Sequence, residues 1–132
     1  MCLYALSGRM SVYESHATYH YRGGKRVKLG IILNTNDPET AWNALRLGNQ
    51  ALGRGHVVKM FLLGSGVEIV NIKDDAFDVP KVLDEFVNGN GYLLACGACL
   101  TFRHQPGGVC PVSTMAQLVD LIEDSDKLVT LG

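Results

Sequence analysis

At 132 residues, 47% of them apolar, the chain is long enough to bury one hydrophobic core of its own, so its four cysteines are not needed as staples. Twelve Lys and Arg against thirteen Asp and Glu leave a formal net charge of −1, which excludes the basic footprint of a nucleic-acid or acidic-membrane binder. No apolar run approaches membrane-spanning length and the first residues lack the regions of a signal peptide, so the expectation is a soluble, cytoplasmic protein with neither nucleic-acid nor membrane partners.

Residues 1–26 contain Tyr13, His16, Tyr19, His20 and Tyr21 but no sustained apolar period. They read as an extension, disordered or serving as an oligomer contact, ahead of an α/β domain spanning residues 27–132. His16 and His20 have the spacing of helical metal ligands without a third ligand in register, and are read as a solvated pair. The only basic cluster, Lys25-Arg26-Val27-Lys28, closes this segment.

From Val27 the pattern sharpens. Leu29-Gly-Ile-Ile-Leu33 is a short apolar run of the kind found in a strand buried on both faces, and it stops at Asn34-Thr-Asn-Asp37. Asp37 before Pro38 supplies an N-cap and an N1 proline, so a helix is expected there, with Ala41, Trp42, Leu45, Gly48 and Leu52 on its inner stripe. Gly53 and Gly55 provide the stop. His56 to Leu63 is the second strand, and Gly64-Ser65-Gly66 is read as a turn, since the longer fingerprints of phosphate-binding loops are absent. Residues 67–72 fit a strand and a short helix equally well. Val79, Val82, Leu83, Phe86 and Val87 form a helical stripe that ends at Asn88-Gly-Asn-Gly91.

Gly91 to Cys96 reads as a third buried strand, followed by Cys96-Gly97-Ala98-Cys99 at the spacing of one helical turn. Gln105-Pro-Gly-Gly-Val-Cys110-Pro is a loop. Thr114 and Gln117 have capping-box spacing ahead of a helix with Met115, Leu118, Val119 and Ile122 inward, and Lys127 to Leu131 closes the chain as a strand. Strands alternating with helices imply a three-layer α/β/α domain around a mainly parallel sheet of about five strands.

In an open parallel sheet, reactive groups collect beyond the carboxyl ends of the strands, which is where Cys96 falls. If Gly97 begins a helix, the thiol faces unpaired backbone N–H groups that favour thiolate. Cys99, one turn on, is close enough to resolve a persulfide or form a reversible disulfide. Arg103 lies two turns down and needs a fold-back or a second chain to reach the sulfur. Two other readings stand beside this one: a metal or cluster module on Cys96, Cys99, Cys110 and His104, and a plain oligomeric scaffold with buried, inert thiols.

Thr35-Asn-Asp37-Pro-Glu-Thr-Ala-Trp42-Asn-Ala-Leu, Gly55-His-Val-Val-Lys-Met-Phe-Leu-Leu-Gly-Ser-Gly66, Cys96-Gly-Ala-Cys99-Leu and Cys110-Pro-Val-Ser-Thr-Met, in this order, resemble the DsrE/DsrF-like family of sulfur-relay proteins over residues 27–132. The resemblance implies an α/β/α fold, oligomers with trimers and hexamers among them, and a cysteine that carries sulfane sulfur as a persulfide or thiosulfonate between donor and acceptor proteins. The carrier position matches Cys96, with Cys99 the second cysteine of a C-G-x-C-L subset. His104 departs from the family pattern, which tends to glycine after the arginine. The expected site is therefore Cys96, Cys99 and Cys110 as sulfur-handling thiols, with Gly97, Asn34 and Arg103 contacting the cargo and no cofactor required.

Overall fold

The structure, a computed structural model, describes residues 24–105 and 112–132. The expected N-terminal extension, apart from its last three residues, the His16/His20 pair and the Cys110 loop lie outside that range.

Apolar runs of five to six residues make four strands: β1 (Lys28–Leu33), β2 (Val57–Leu62), β3 (Tyr92–Cys96) and β5 (Lys127–Leu131). A fifth, β4 (Val112–Ser113), is too short to show a period in sequence. The order is β4-β3-β2-β1-β5 and every pairing is parallel. The fold is thus the expected α/β architecture, but the fifth strand is β4. Residues 67–72 fall instead within a 3-10 helix, Gly64–Asn71, that ends at Ile72.

Alternation along the strands separates two faces. Ile31, Leu33, Val58, Met60, Leu62 and Leu93 point one way and are fully or almost fully buried under α1 (Pro38–Gly53) and α2 (Val79–Asn88). Within α1 the buried positions are Ala41, Ala44, Leu45, Gly48, Asn49 and Ala51. The expected stripe is shifted: Trp42 and Leu52 are half-buried at its margins. Trp42 packs on Phe77 with ring centroids 5.3 Å apart, and the Arg46 guanidinium lies 4.2 Å from the indole centroid.

The opposite face is covered by α4 (Met115–Asp124), which seats Leu121 and Ser125 over Gly30, where an added Cβ would stand 2.8 Å from Leu121 and 2.6 Å from Ser125 Oγ. This contact sets the rotation of the helix. Leu118 and Leu121 are buried, whereas Met115, Val119 and Ile122, expected inward, are 54%, 51% and 42% exposed. Among the described residues, α4 alone does not cover this face of the sheet. Val57, Lys59, Tyr92 and Leu94, on the same face, line an open depression of about 440 Å³ with Lys28 and Asp124.

The helix starts follow the sequence signals. Asp37 accepts the Thr40 N–H at 2.9 Å, Asp78 accepts that of Lys81 at 3.2 Å, and Thr114 and Gln117 form a reciprocal capping box on α4. The Thr40 amide and hydroxyl hold the Asp37 carboxyl below the usual carboxylate range.

Three helix ends share one device. Gly55 (φ +84°), Asn90 (φ +70°) and His104 (φ +51°) each occupy the left-handed position after α1, α2 and α3 (Gly97–Phe102). Each closes paired bonds of Schellman type; at α3, His104 N–H donates to the Thr101 carbonyl at 3.1 Å and Gln105 N–H to that of Leu100 at 2.9 Å. Glycine adopts this conformation freely, asparagine tolerably and histidine at a cost. The departure from the family pattern at His104 thus falls on the residue whose backbone most favours glycine. His104→Gly is expected to raise unfolding free energy by about 1 kcal/mol in urea titration; an unchanged or lowered midpoint would count against the left-handed assignment.

Candidate functional site

Because the pairings are parallel and Leu33, Leu62 and Ala95 stand in register, the segments after β1, β2 and β3 leave the sheet at one edge. Asn34, Gly64 and Cys96 occupy that edge side by side. Cys96 is the last residue of β3, is opposite Ser113 in the β3–β4 ladder and serves as N-cap of α3. Only 2% of it is exposed and its side chain makes no cap hydrogen bond. The expected cradle of helix N–H groups around this thiol is therefore absent: α3 has only six residues, and Cys96 packs into the core.

The amide at the site comes from elsewhere. Gly64 N–H donates to Cys99 Sγ at 3.2 Å. Gly64 is left-handed (φ +56°), and a Cβ there would collide with the Asn34 side-chain oxygen, so glycine fits this approach on both counts. Asn34, the expected cargo contact, is packed against Gly64 and meets the thiols through it. Gly97 starts α3 as expected and lies so close to β4 that a Cβ would stand 2.7 Å from Val112 Cγ1.

Cys99 is half-buried, one helical turn on from the buried Cys96. Burial, and then the neighbouring Cys96 side chain, push its thiol above the ordinary range, while the Gly64 amide and the Arg103 charge pull the other way. Arg103, just past α3, pairs with Glu68 of the 3-10 helix. Its Nε lies 3.1 Å from Glu68 Oε1 in an ion pair, both side chains being less than one-third exposed, and its charge acts on Cys99 as the smallest of the influences on that thiol. Asn71 Nδ2 donates to Gln105 Oε1 at 2.8 Å, a second tie between the 3-10 helix and the end of α3.

Gly64 and Glu68 are thus the site residues that sequence reasoning missed. The signal available was the pair of glycines closing the strand beside β3, read as a turn. Among the described residues, no group of three or more His, Cys, Asp or Glu side chains could hold a metal ion, and Cys110 lies outside them.

The raised thiol has a consequence for pH. The folded state keeps the Cys99 proton to higher pH than an unfolded thiol of pKa about 8.5. The stability this contributes is complete below the unfolded pKa and is lost as pH rises through the folded one. Urea midpoints above pH 8 are expected to fall more steeply for the wild type than for Cys99→Ser. Parallel curves would remove the effect.

Residues 27–131 match the model of the DsrE/DsrF-like family. An uncharacterized protein of Methanopyrus kandleri is 30% identical over 99 residues, 69% of this chain and 81% of that protein. A solved structure of a conserved protein of unknown function from Bacteroides thetaiotaomicron is similar at TM-score 0.65 and 20% identity, covering 78% of this chain and 93% of that one, a likeness of fold.

Proposed function

The chain belongs to the DsrE/DsrF-like family, and on that footing we propose that it is a cytoplasmic sulfur carrier that holds sulfane sulfur on Cys96, as a persulfide or thiosulfonate, between a donor and an acceptor protein. The observation that carries the proposal is the pair Cys96 and Cys99, one turn apart at the carboxyl edge of a parallel sheet, with the Gly64 backbone amide donating to the second sulfur at 3.2 Å.

Loading from a persulfide donor is an exchange at divalent sulfur: a cysteine thiolate attacks the outer sulfur of R–S–SH, the S–S bond breaks, and R–S⁻ leaves. No oxidant is consumed. Burial of Cys96 fits storage, because a sulfane sulfur shielded from bulk thiols is not stripped before an acceptor docks. Gly97 and Asn34 shape the space around the cargo, Arg103 supplies positive charge held in place by Glu68, and Cys110 joins if its loop folds over the site. The same reading makes the protein a homo-oligomer, trimer or hexamer, a role for which α4 and the open sheet face are suited.

The test is intact-protein mass spectrometry after incubation with a low-molecular-weight persulfide, removal of the donor and a brief thiol chase. The wild type is expected to retain an increment of one sulfur, mapped to Cys96, and Cys96→Ser to retain none. No retained increment in the wild type, or equal retention in Cys96→Ser, overturns the proposal. A stoichiometric metal in the freshly purified protein would do the same in favour of a metal-binding module.

A further inference from the structure

Building on the carrier reading, we infer that Cys99 is the port through which sulfur enters and leaves: a protein-borne persulfide hands its outer sulfur to Cys99, which passes it inward to Cys96. Three observations converge. Cys96 is 2% exposed and belongs to the core, so a thiol or persulfide on another protein has no line of approach to it. Cys99 is half-buried, stands one helical turn on from Cys96 across the strand–helix junction, and has its thiol influenced by the Cys96 side chain, which places it beside the core thiol on the way out. Gly64 N–H meets Cys99 Sγ at 3.2 Å, and Arg103, anchored on Glu68, adds its positive charge.

The chemistry needs little more than this. Exchange at sulfur runs in line, with nucleophile, central sulfur and leaving sulfur nearly collinear, so the attacking group needs open space on one side and the leaving group on the other. In the first step Cys99–S⁻ attacks the outer sulfur of R–S–SH, forming Cys99–S–SH and releasing R–S⁻ to the donor protein outside. In the second, Cys96 attacks that outer sulfur, the Cys99 S–S bond breaks, and the Cys96 proton ends on Cys99: Cys96–SH and Cys99–S–SH become Cys96–S–SH and Cys99–SH. Sulfur atoms and electrons balance, and neither disulfide nor hydrosulfide is formed. Cys99 must act as nucleophile and then as leaving group, and both roles gain from a donor that stabilises its thiolate. The Gly64 amide and the Arg103 charge are that stabilisation, opposing the burial that disfavours the anion. Release is the same path reversed, with the acceptor thiolate taking sulfur from Cys99.

This assignment differs from a resolving role for Cys99, in which it attacks the Cys96 sulfur, forms the Cys96–Cys99 disulfide and expels hydrosulfide. The two make opposite products. It also gives Gly64 and Glu68 functional reasons for their positions.

The test loads wild type, Cys99→Ser, Cys99→Ala and Cys96→Ser from a persulfidated carrier protein too large to enter the site, with rapid acid quench and mass spectrometry of the peptides. Circular dichroism melts confirm that each variant is folded. Expected are a transient increment on Cys99 preceding the stable one on Cys96, a Cys99 increment in Cys96→Ser that a thiol chase removes, and loading of Cys96 at least tenfold slower in both Cys99 variants. Sulfur appearing on Cys96 first, loading at wild-type rate in the Cys99 variants, or accumulation of the Cys96–Cys99 disulfide with hydrosulfide overturns the port while leaving Cys96 as carrier. A wild type that retains no sulfur on Cys96 instead removes the carrier reading on which the port rests.

Discussion

Phe86→Ala is expected to lower unfolding free energy by about 3–5 kcal/mol, the range for truncating a fully buried phenylalanine. The ring is fully buried at the junction of α1, α2 and β3. It fills space that two glycines leave open: an added Cβ would stand 2.7 Å from the ring at Gly48 and 2.5 Å at Gly91. Removing the ring deletes apolar area and leaves a cavity between rigid elements that cannot close without moving a helix off the sheet. Urea unfolding of wild type and variant measures the loss. The double variant Phe86→Ala with Gly48→Ala is expected to recover part of it, since the new methyl enters the vacated volume. A loss below about 1 kcal/mol would mean the junction collapses freely and would overturn the account.

Val119→Asp is expected to convert a sedimenting oligomer into monomer, weakening self-association by about a hundredfold, or roughly 2.7 kcal/mol. A parallel sheet is stable when both faces are covered, and among the described residues one face carries α4 alone. Met115, Val119 and Ile122 form an exposed apolar stripe, and on the sheet face Tyr92 is exposed and Leu94 only partly buried. Asp124 is already paired within the chain with Lys28 and Lys59, but cations at Lys25 and Arg26 and anions at Asp120 and Glu123 allow a second copy to match charge as it covers the apolar surface. Burying an aspartate in that contact is costly, whereas the same residue on a solvated helix face is nearly neutral. The variant should therefore keep its melting temperature measured at monomeric concentration. A monomeric wild type, or an oligomer indifferent to the substitution, overturns the assignment of this face.

How much of this was legible beforehand depended on whether the deciding contact was local. Leu29–Leu33 declares a buried strand by its own composition, and Asp37-Pro38 and Thr114 with Gln117 place helix starts through bonds spanning three residues. Cys96 before Gly97 was readable as the end of a strand and the start of a helix. The direction α4 presents was not, because it is set by Gly30 across the sheet, far away in the chain. The amide on Cys99 was invisible for the same reason: it depends on β2 lying next to β3, which local periodicity does not encode. Residues 67–72 could not be resolved by pattern, since a 3-10 helix half-covered by α1, α2 and α3 has neither the strand nor the α-helical repeat. Glu68 was hidden within it.

The β3–β4 ladder reaches Cys96 itself, opposite Ser113, and on the proposed carrier reading this governs how cargo travels. The Cys96 backbone is stitched into the sheet at the very residue that bears the sulfur. Its freedom is then one side-chain torsion, with a radius of under two bond lengths, and not the sweep of a flexible arm. A carrier of this build is a fixed berth: cargo is brought to it and lifted from it, and geographical distance between donor and acceptor is bridged by the diffusion of whole proteins.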